Sequence, residues 1–197
     1  MLTKYKYKNV GIPKQWFFFN PTIKSNHKTF HKISNKTGII FFQQKKNKLN
    51  VFLKSLLPYI RECKQKKIKF IIPCSLYWAN KYNPFGVFLD NKFKEINNHL
   101  NINILKKKFF LATKIHNINE ALRAKKYFDL IFISPAFITK SHPDQKPLSN
   151  YIFISLCFFF KEKVLFALGG VNKKKFQGKK NKKLHGFGAI HYFKEKK

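Results

Sequence analysis

The sequence contains almost no arginine and few acidic residues. Arginine occurs only at Arg61 and Arg123, so 39 of the 41 basic residues are lysine, and 8 acidic residues leave a formal charge of +33 at pH 7. Bidentate recognition of guanine or phosphate uses the guanidinium fork, which an ammonium group does not reproduce. The scarcity of arginine therefore argues against a specific nucleic-acid reader. The lysines and the 18 asparagines favour A/T-rich coding on a solvated surface, which attracts nucleic acid only non-specifically through charge.

Cysteine and long apolar runs are also scarce. The three cysteines, Cys63, Cys74 and Cys157, are odd in number and lack paired spacing, so they predict neither a disulfide framework nor a zinc site. The longest apolar run, residues 151–160, covers ten residues, which is too short to span a bilayer. We therefore expect a cytoplasmic protein without a membrane partner.

Short apolar runs, by contrast, recur along the whole chain. Phenylalanine alone occurs 24 times, and the runs are separated by lysine-rich segments long enough for a helix or loop. Continuous apolar runs are typical of strands covered on both faces, as in a parallel sheet wrapped by helices. We predict eight strands, at residues 16–19, 38–42, 68–74, 86–89, 108–113, 130–133, 163–167 and 186–190.

Three of the intervening segments carry helix signals. In residues 117–126, Asn117 can cap the helix and Glu120 can reach back from the third position. Residues 49–64 have helical spacing that Pro58 should interrupt. Residues 75–85 leave room for one short helix at 76–81, so the third unit is predicted to be truncated.

Periodicity does not distinguish a closed barrel from an open doubly wound sheet, but the glycines favour a barrel. Run seven ends in Leu-Gly169-Gly170-Val-Asn, and run eight contains Gly186-Phe-Gly188-Ala-Ile. Barrels with phosphorylated ligands commonly hold the phosphate on backbone N–H groups after strands seven and eight. No dinucleotide fingerprint follows the first run. We predict a small single-domain (β/α)8 TIM barrel over residues 1–197, with loose tails at 1–12 and 194–197.

Several motifs resemble one family. Residues 166–172 (FALGGVN) and 186–190 (GFGAI) resemble the two phosphate loops of thiamine-phosphate synthases and the related thiazole tautomerases. Residues 128–143 (FDLIFISPAFITKSHP) resemble the sixth strand of the family and the loop after it, and residues 86–89 (GVFL) are similar to its fourth strand. Lys114-Ile-His116 occupies the place of its Ser-x-His turn. The resemblance covers about residues 13–193.

The resemblance implies a ligand and a set of site residues. The family's synthases join a pyrimidine pyrophosphate to a thiazole phosphate, with carbocation character at the pyrimidine methylene and Mg²⁺ on the departing pyrophosphate. Donors around the leaving group and oxygen ligands for the metal suit that chemistry. The expected phosphate-binding residues are Gly169, Gly170, Gly188, Ala189, Thr139 and Ser141; the pyrophosphate-binding residues are Gln43 and Lys45; the catalytic candidates are His116, His142 and Lys45; and the metal ligand is Asp90.

The sequence departs from the family where pyrophosphate and metal should bind. The second strand should carry Gln-x-Arg-x-Lys, yet Phe42 stands at the arginine position unless the register slips and Gln43 with Lys45 substitutes. The family's Asn-Asp pair after the third strand is replaced by Pro73-Cys74. The resemblance favours an enzyme, with its usual arginine and metal positions unmatched.

Three hypotheses follow from these observations. The first is a thiamine-phosphate synthase that needs Mg²⁺. The second is a thiazole-tautomerase-like or catalytically degenerate binder of thiazole phosphate without a cofactor, in which His116 or His142 would be the base. The third is a basic nucleic-acid-binding module that owes its function to charge and to aromatic residues, although these lie in apolar runs where core burial is the ordinary explanation. Its candidate aromatic residues are Trp16, Phe17, Phe18, Trp78 and Tyr82.

Overall fold

Eight parallel strands alternate with helices along the chain. The computed structural model describes residues 11–43, 48–90, 99–139, 145–178 and 183–194. The strands are β1 (Gln15–Phe19), β2 (Thr37–Phe41), β3 (Phe70–Pro73), β4 (Gly86–Phe88), β5 (Phe110–Ile115), β6 (Leu130–Ile133), β7 (Val164–Leu168) and β8 (Leu184–Ala189). The described helices are α1 (Lys24–His31), α2 (Leu49–Ser55), α3 (Leu57–Gln65), α4 (Leu76–Tyr82), α5 (His99–Lys108), α6 (Ile118–Ala124), α7 (Asn150–Phe159) and α8 (Lys173–Gly178).

The strands pair in sequence order and close into a barrel. Each strand is parallel to the next, and β8 returns to pair with β1. The predicted (β/α)8 barrel is confirmed, and each predicted apolar run overlaps a strand. The fifth strand begins two residues later than predicted, because Lys108 is the last residue of α5. Residues 1–10 and 195–197 of the predicted tails lie outside the described residues.

Alternation along each strand separates two apolar layers. One set of side chains packs between the strands and the surrounding helices. The other set fills the barrel interior, as expected when every strand is covered on both faces. The interior cluster consists of Trp16, Phe18, Ile40, Ile71, Phe88, Phe110, Ala112, Leu130, Phe132, Phe166 and Leu168. The barrel is therefore a packed core, and polar side chains can reach its axis only at the rims.

Helices occur in all three segments for which the sequence predicted them, with bounds within about two residues of those expected. Asn117 Oδ1 accepts a hydrogen bond from Glu120 N at 2.9 Å, which caps α6. Residues 49–64 form two helices that meet at Leu56, and Pro58 lies in the first turn of the second. Helix α4 has only seven residues and ends at Asn83, whose φ of 48° is left-handed, so the third unit is truncated as predicted.

None of the described helices is long and apolar enough to cross a membrane. The longest apolar run of the sequence forms most of α7, which has ten residues.

Large rings in the barrel interior are matched by glycine on the neighbouring strand. Trp16 on β1 is paired with Gly38 on β2, and Trp16 is completely buried. A Cβ atom at Gly38 would overlap the six-membered ring of Trp16. The ring has no free volume to move into, because interiors are packed as densely as organic crystals.

We predict that Gly38→Ala destabilises the protein by about 1–3 kcal/mol, the usual cost of overpacking a core. Urea denaturation should show a lower midpoint with an unchanged slope. Gly11→Ala is the matched control, because its added Cβ would lie 3.7 Å from Lys69 Nζ, an ordinary contact. Equal midpoints for the two variants would contradict the proposed packing.

Candidate functional site

The carboxyl ends of all eight strands meet at one rim of the barrel. In barrels of this kind the loops at that rim carry the functional groups. The structure places most of the predicted site residues there, at or just beyond strand ends. These residues are Gln43 after β2, Asp90 after β4, His116 after β5, Gly169 and Gly170 after β7, and Gly188 and Ala189 at the end of β8. Thr139 lies half-buried in the connection after β6. Lys45, Ser141 and His142 fall outside the described residues.

Gly169 and Gly170 are fixed by their backbone conformation and by a neighbouring loop. Their φ angles are +87° and +63°, a region that favours glycine. A Cβ atom at Gly170 would overlap the carbonyl oxygen of Ile138. Phe137 N also donates to Gly169 O at 3.1 Å. The connections after β6 and β7 therefore form one packed unit.

The two backbone amides of this glycine pair are candidate donors to a ligand. None of the described residues accepts a hydrogen bond from the backbone N–H of Gly169 or Gly170. Consecutive N–H groups in such a turn form a concavity that binds anions. The backbone conformation thus accounts for glycine at both positions. The same pair also places two N–H donors at the carboxyl-terminal rim of the barrel.

Gly188 and Ala189 lie in β8, beside this loop. Gly188 is paired with Trp16 on one side and with Leu168 on the other. A Cβ atom at Gly188 would lie 2.6 Å from Phe18 Cε2, so the glycine makes room for an aromatic ring in the barrel interior. Ala189 is buried in the layer between strands and helices. Only the backbone at these two positions can face a ligand, and their predicted phosphate contacts remain predictions.

A lysine and an aspartate form an ion pair at the mouth of the barrel. Lys114 Nζ lies 3.3 Å from Asp90 Oδ1, and the two side chains are 32% and 65% exposed. Lys114 follows Phe110 and Ala112 at alternate positions of β5, which places it on the interior face. No role is predicted for Lys114 from the sequence alone. The period-two alternation of β5 was the signal that could have identified it.

His116 is held at the rim by the helix that follows it. Its backbone N donates to Glu120 Oε2 at 2.6 Å, and its Nδ1 lies 3.2 Å from the same oxygen. Glu120 therefore orients the imidazole in addition to its predicted part in capping α6. The spacing of four residues between them was a local signal for this contact.

The β2 side of the rim is apolar. Phe42 packs against the interior cluster, with its ring centroid 6.0 Å from that of Phe18. The pairing of β1 with β2 runs without a bulge up to Phe19 and Phe41, and Phe42, the next residue, takes an interior position. Gln43 is half-buried, and its Nε2 has no hydrogen-bond partner among the described residues. Its predicted contact with pyrophosphate remains a prediction.

The described residues do not fit a magnesium ion. Mg²⁺ requires near-octahedral coordination and is usually held in proteins by one or two carboxylates together with water and substrate oxygens. Asp90 contributes one carboxylate at the rim, and an ammonium group already neutralises it. On the neighbouring strand end, burial raises the pKa of Cys74 to about 11, which keeps a neutral thiol there. Within the described ranges, no three His, Cys, Asp or Glu side chains come together as a metal-binding group.

The sequence model of the thiamine monophosphate synthase family matches residues 24–191 of this barrel. The chain belongs to that family. It is similar to the thiamine phosphate pyrophosphorylase from Pyrococcus furiosus, with a TM-score of 0.65 and 15% identity over 90% of this chain and 85% of the other. The corresponding protein from Bacteroides thetaiotaomicron has a TM-score of 0.60 and 15% identity over 92% and 84%. At these identities the structural likeness shows the fold alone.

The same barrel occurs in proteins with other chemistry. The HpcH/HpaI aldolase from Desulfitobacterium hafniense has a TM-score of 0.59 with 6% identity, over 96% of this chain and 90% of the other. A comparison with curated proteins gives no match. Because one fold hosts many activities, the family match, and not the fold, connects this chain with thiamine biosynthesis.

The aromatic residues invoked for nucleic-acid stacking are not accessible. Each of Trp16, Phe17, Phe18, Trp78 and Tyr82 is at most 8% exposed. A groove of about 510 Å³ does carry basic side chains, but it lies at the amino-terminal rim, lined in part by Lys14, Lys163, Lys183 and His185. Base stacking on the five predicted residues is therefore ruled out, while attraction through charge stays a prediction.

Cys74 should react slowly with alkylating reagents. With a pKa of about 11, only on the order of a thousandth of the thiol is ionised at pH 8, and the thiolate is the reactive form. Mass spectrometry of iodoacetamide-treated protein should show a Cys74 rate roughly 100-fold below that of an unperturbed cysteine. The rate should rise as the pH approaches 11, and Cys74→Ser gives the background from the other two cysteines. A half-maximal rate near an ordinary cysteine pKa would contradict this prediction.

Proposed function

We propose that this protein binds a thiazole phosphate at the β7–β8 side of the barrel mouth and joins its thiazole to a pyrimidine pyrophosphate. The observation that carries the proposal is the Gly169-Gly170 pair, whose two amides have no acceptor among the described residues. Membership of the family directs the choice of ligand. Thr139 lies half-buried in the connection packed against the glycines and is our candidate for an added hydroxyl donor.

The reaction needs little from acid or base residues. The lone pair of the thiazole nitrogen forms a bond to the pyrimidine methylene carbon. The bond from that carbon to the pyrophosphate oxygen breaks, and its electron pair leaves with pyrophosphate. Positive charge and N–H donors near the leaving oxygen stabilise the negative charge that develops there. Such electrostatic stabilisation is the largest contribution to the rate enhancement in many enzymes. No proton has to leave the thiazole nitrogen.

A second candidate is a binder or tautomerase that keeps the thiazole-phosphate half of the site. Phe42 at the arginine position and the neutralised Asp90 favour it, because both departures fall in the half of the site that would hold pyrophosphate. A tautomerase would need a base, and His116, oriented by Glu120, is the described candidate. Release of pyrophosphate from the pyrimidine substrate distinguishes the synthase from this alternative.

We expect Gly170→Ala to weaken binding of thiazole phosphate by at least about tenfold in calorimetry, which corresponds to roughly 1.4 kcal/mol. The new methyl group would strain the left-handed backbone and push against Ile138, which displaces the donors. Gly11→Ala, at an exposed glycine far from the rim, should bind as the parent protein does.

A comparison of two ligands on the parent protein tests the same contact, so it does not depend on whether the variant folds. The thiazole alcohol that lacks the phosphate should bind the parent protein much more weakly than the phosphate ester, and inorganic phosphate should compete with the ester. Equal affinity for the alcohol and the ester would show that the glycine pair does not hold phosphate, and would refute the proposed function.

A further inference from the structure

The ion pair at the mouth is fixed by strand pairing. In the register of β4 and β5, Phe88 is the partner of Ala112, and Leu89 N donates to Ala112 O at 2.9 Å. Two residues further along each strand, Asp90 and Lys114 come level with each other. Their separation of 3.3 Å therefore follows from backbone geometry as well as from attraction between two surface charges.

Lys114 has capacity for a further acceptor. An ammonium group has three N–H donors, and Asp90 can take one of them in this geometry. The lysine extends from an interior position of β5, and its side chain is only about half as exposed as that of Asp90, 32% against 65%. It therefore holds a cation at the entrance to the barrel, with donors for a second anion.

The described groups on either side of Lys114 offer no second cation to the ligand. Phe42 removes the positive charge expected on the β2 side, and Glu120 is engaged by His116. A divalent metal on the Asp90 carboxylate would share it with the ammonium group whose Nζ lies 3.3 Å from Oδ1, and the two cations would repel each other. Lysine is a compact point charge that binds phosphate oxygens well.

We propose that Lys114, positioned by Asp90, is the cation that contacts the pyrophosphate group at the mouth, so that pyrophosphate binds without Mg²⁺. This inference rests on the proposed function, since it assigns the second anion of the same site. It differs from the expectation of a magnesium-dependent synthase, which the described donors do not fit.

The test uses inorganic pyrophosphate as the probe in calorimetry with the full chain, in EDTA and then with excess Mg²⁺. The parent protein should bind pyrophosphate in EDTA, and Mg²⁺ should not tighten the binding. Lys114→Met should weaken binding by about tenfold or more, whereas Lys114→Arg should stay within roughly threefold of the parent. Asp90→Asn should bind pyrophosphate at least as tightly as the parent, because its amide oxygen can still accept a hydrogen bond from Lys114 while the competing negative charge is removed.

Lys54→Met is the matched control, because Lys54 is an exposed lysine on α2 and its loss changes the net charge equally. Because half-exposed ion pairs contribute little to stability, Lys114→Met should fold. Thermal unfolding of the variant checks this expectation. If pyrophosphate binds the parent only with Mg²⁺, or if Lys114→Met and Lys54→Met lose the same affinity, the inference is wrong.

Binding of thiazole phosphate distinguishes failure of the role assigned to Lys114 from failure of the proposed function. Lys114→Met should keep the affinity of the parent for thiazole phosphate, whose phosphate is assigned to the glycine pair on β7. If the parent protein does not bind thiazole phosphate, the proposed function fails whatever pyrophosphate does. If it binds thiazole phosphate but shows metal-dependent pyrophosphate binding, only the role of Lys114 fails.

Discussion

The close fit of aromatic rings inside the barrel is the constraint on which the rest of the structure depends. Phe132 and Phe166 stack with their centroids 4.8 Å apart, and Gly38 gives space to Trp16. The indole N–H of Trp16 is buried and has no acceptor among the described residues. A buried donor without a hydrogen bond normally costs stability. The packing of the Trp16 ring therefore outweighs that cost. With the axis filled by rings, chemistry has room only at the ends of the strands.

This filling also explains why the two halves of the rim differ. On the β7 side, glycines expose backbone N–H groups, which need no side chain and so fit beside a tightly packed interior. On the β2 side, Phe42 extends the aromatic interior to the rim and displaces charge from it. Between the two sides, the described part of the rim carries the ion pair of Lys114 with Asp90.

Local signals predicted individual elements well. Asn117 caps its helix, Pro58 begins a new helix, and Asn83 ends the short one, because caps, prolines and left-handed residues act within a few positions of themselves. Strand bounds were less accurate. Lys108 was assigned to β5 although it ends α5, since an apolar run does not show where a preceding helix stops.

The sequence by itself determined the number and order of the strands, the truncated third unit and the glycine loops that mark one end of a barrel. Only the tertiary structure decided which side chains meet. Asp90 reaches Lys114 through the register of β4 against β5, and Gly170 is held by Ile138 from another loop. Such contacts join residues far apart in the chain, and their geometry depends on closure of the whole sheet. Periodicity and spacing carry no information about that register, because they describe each strand separately.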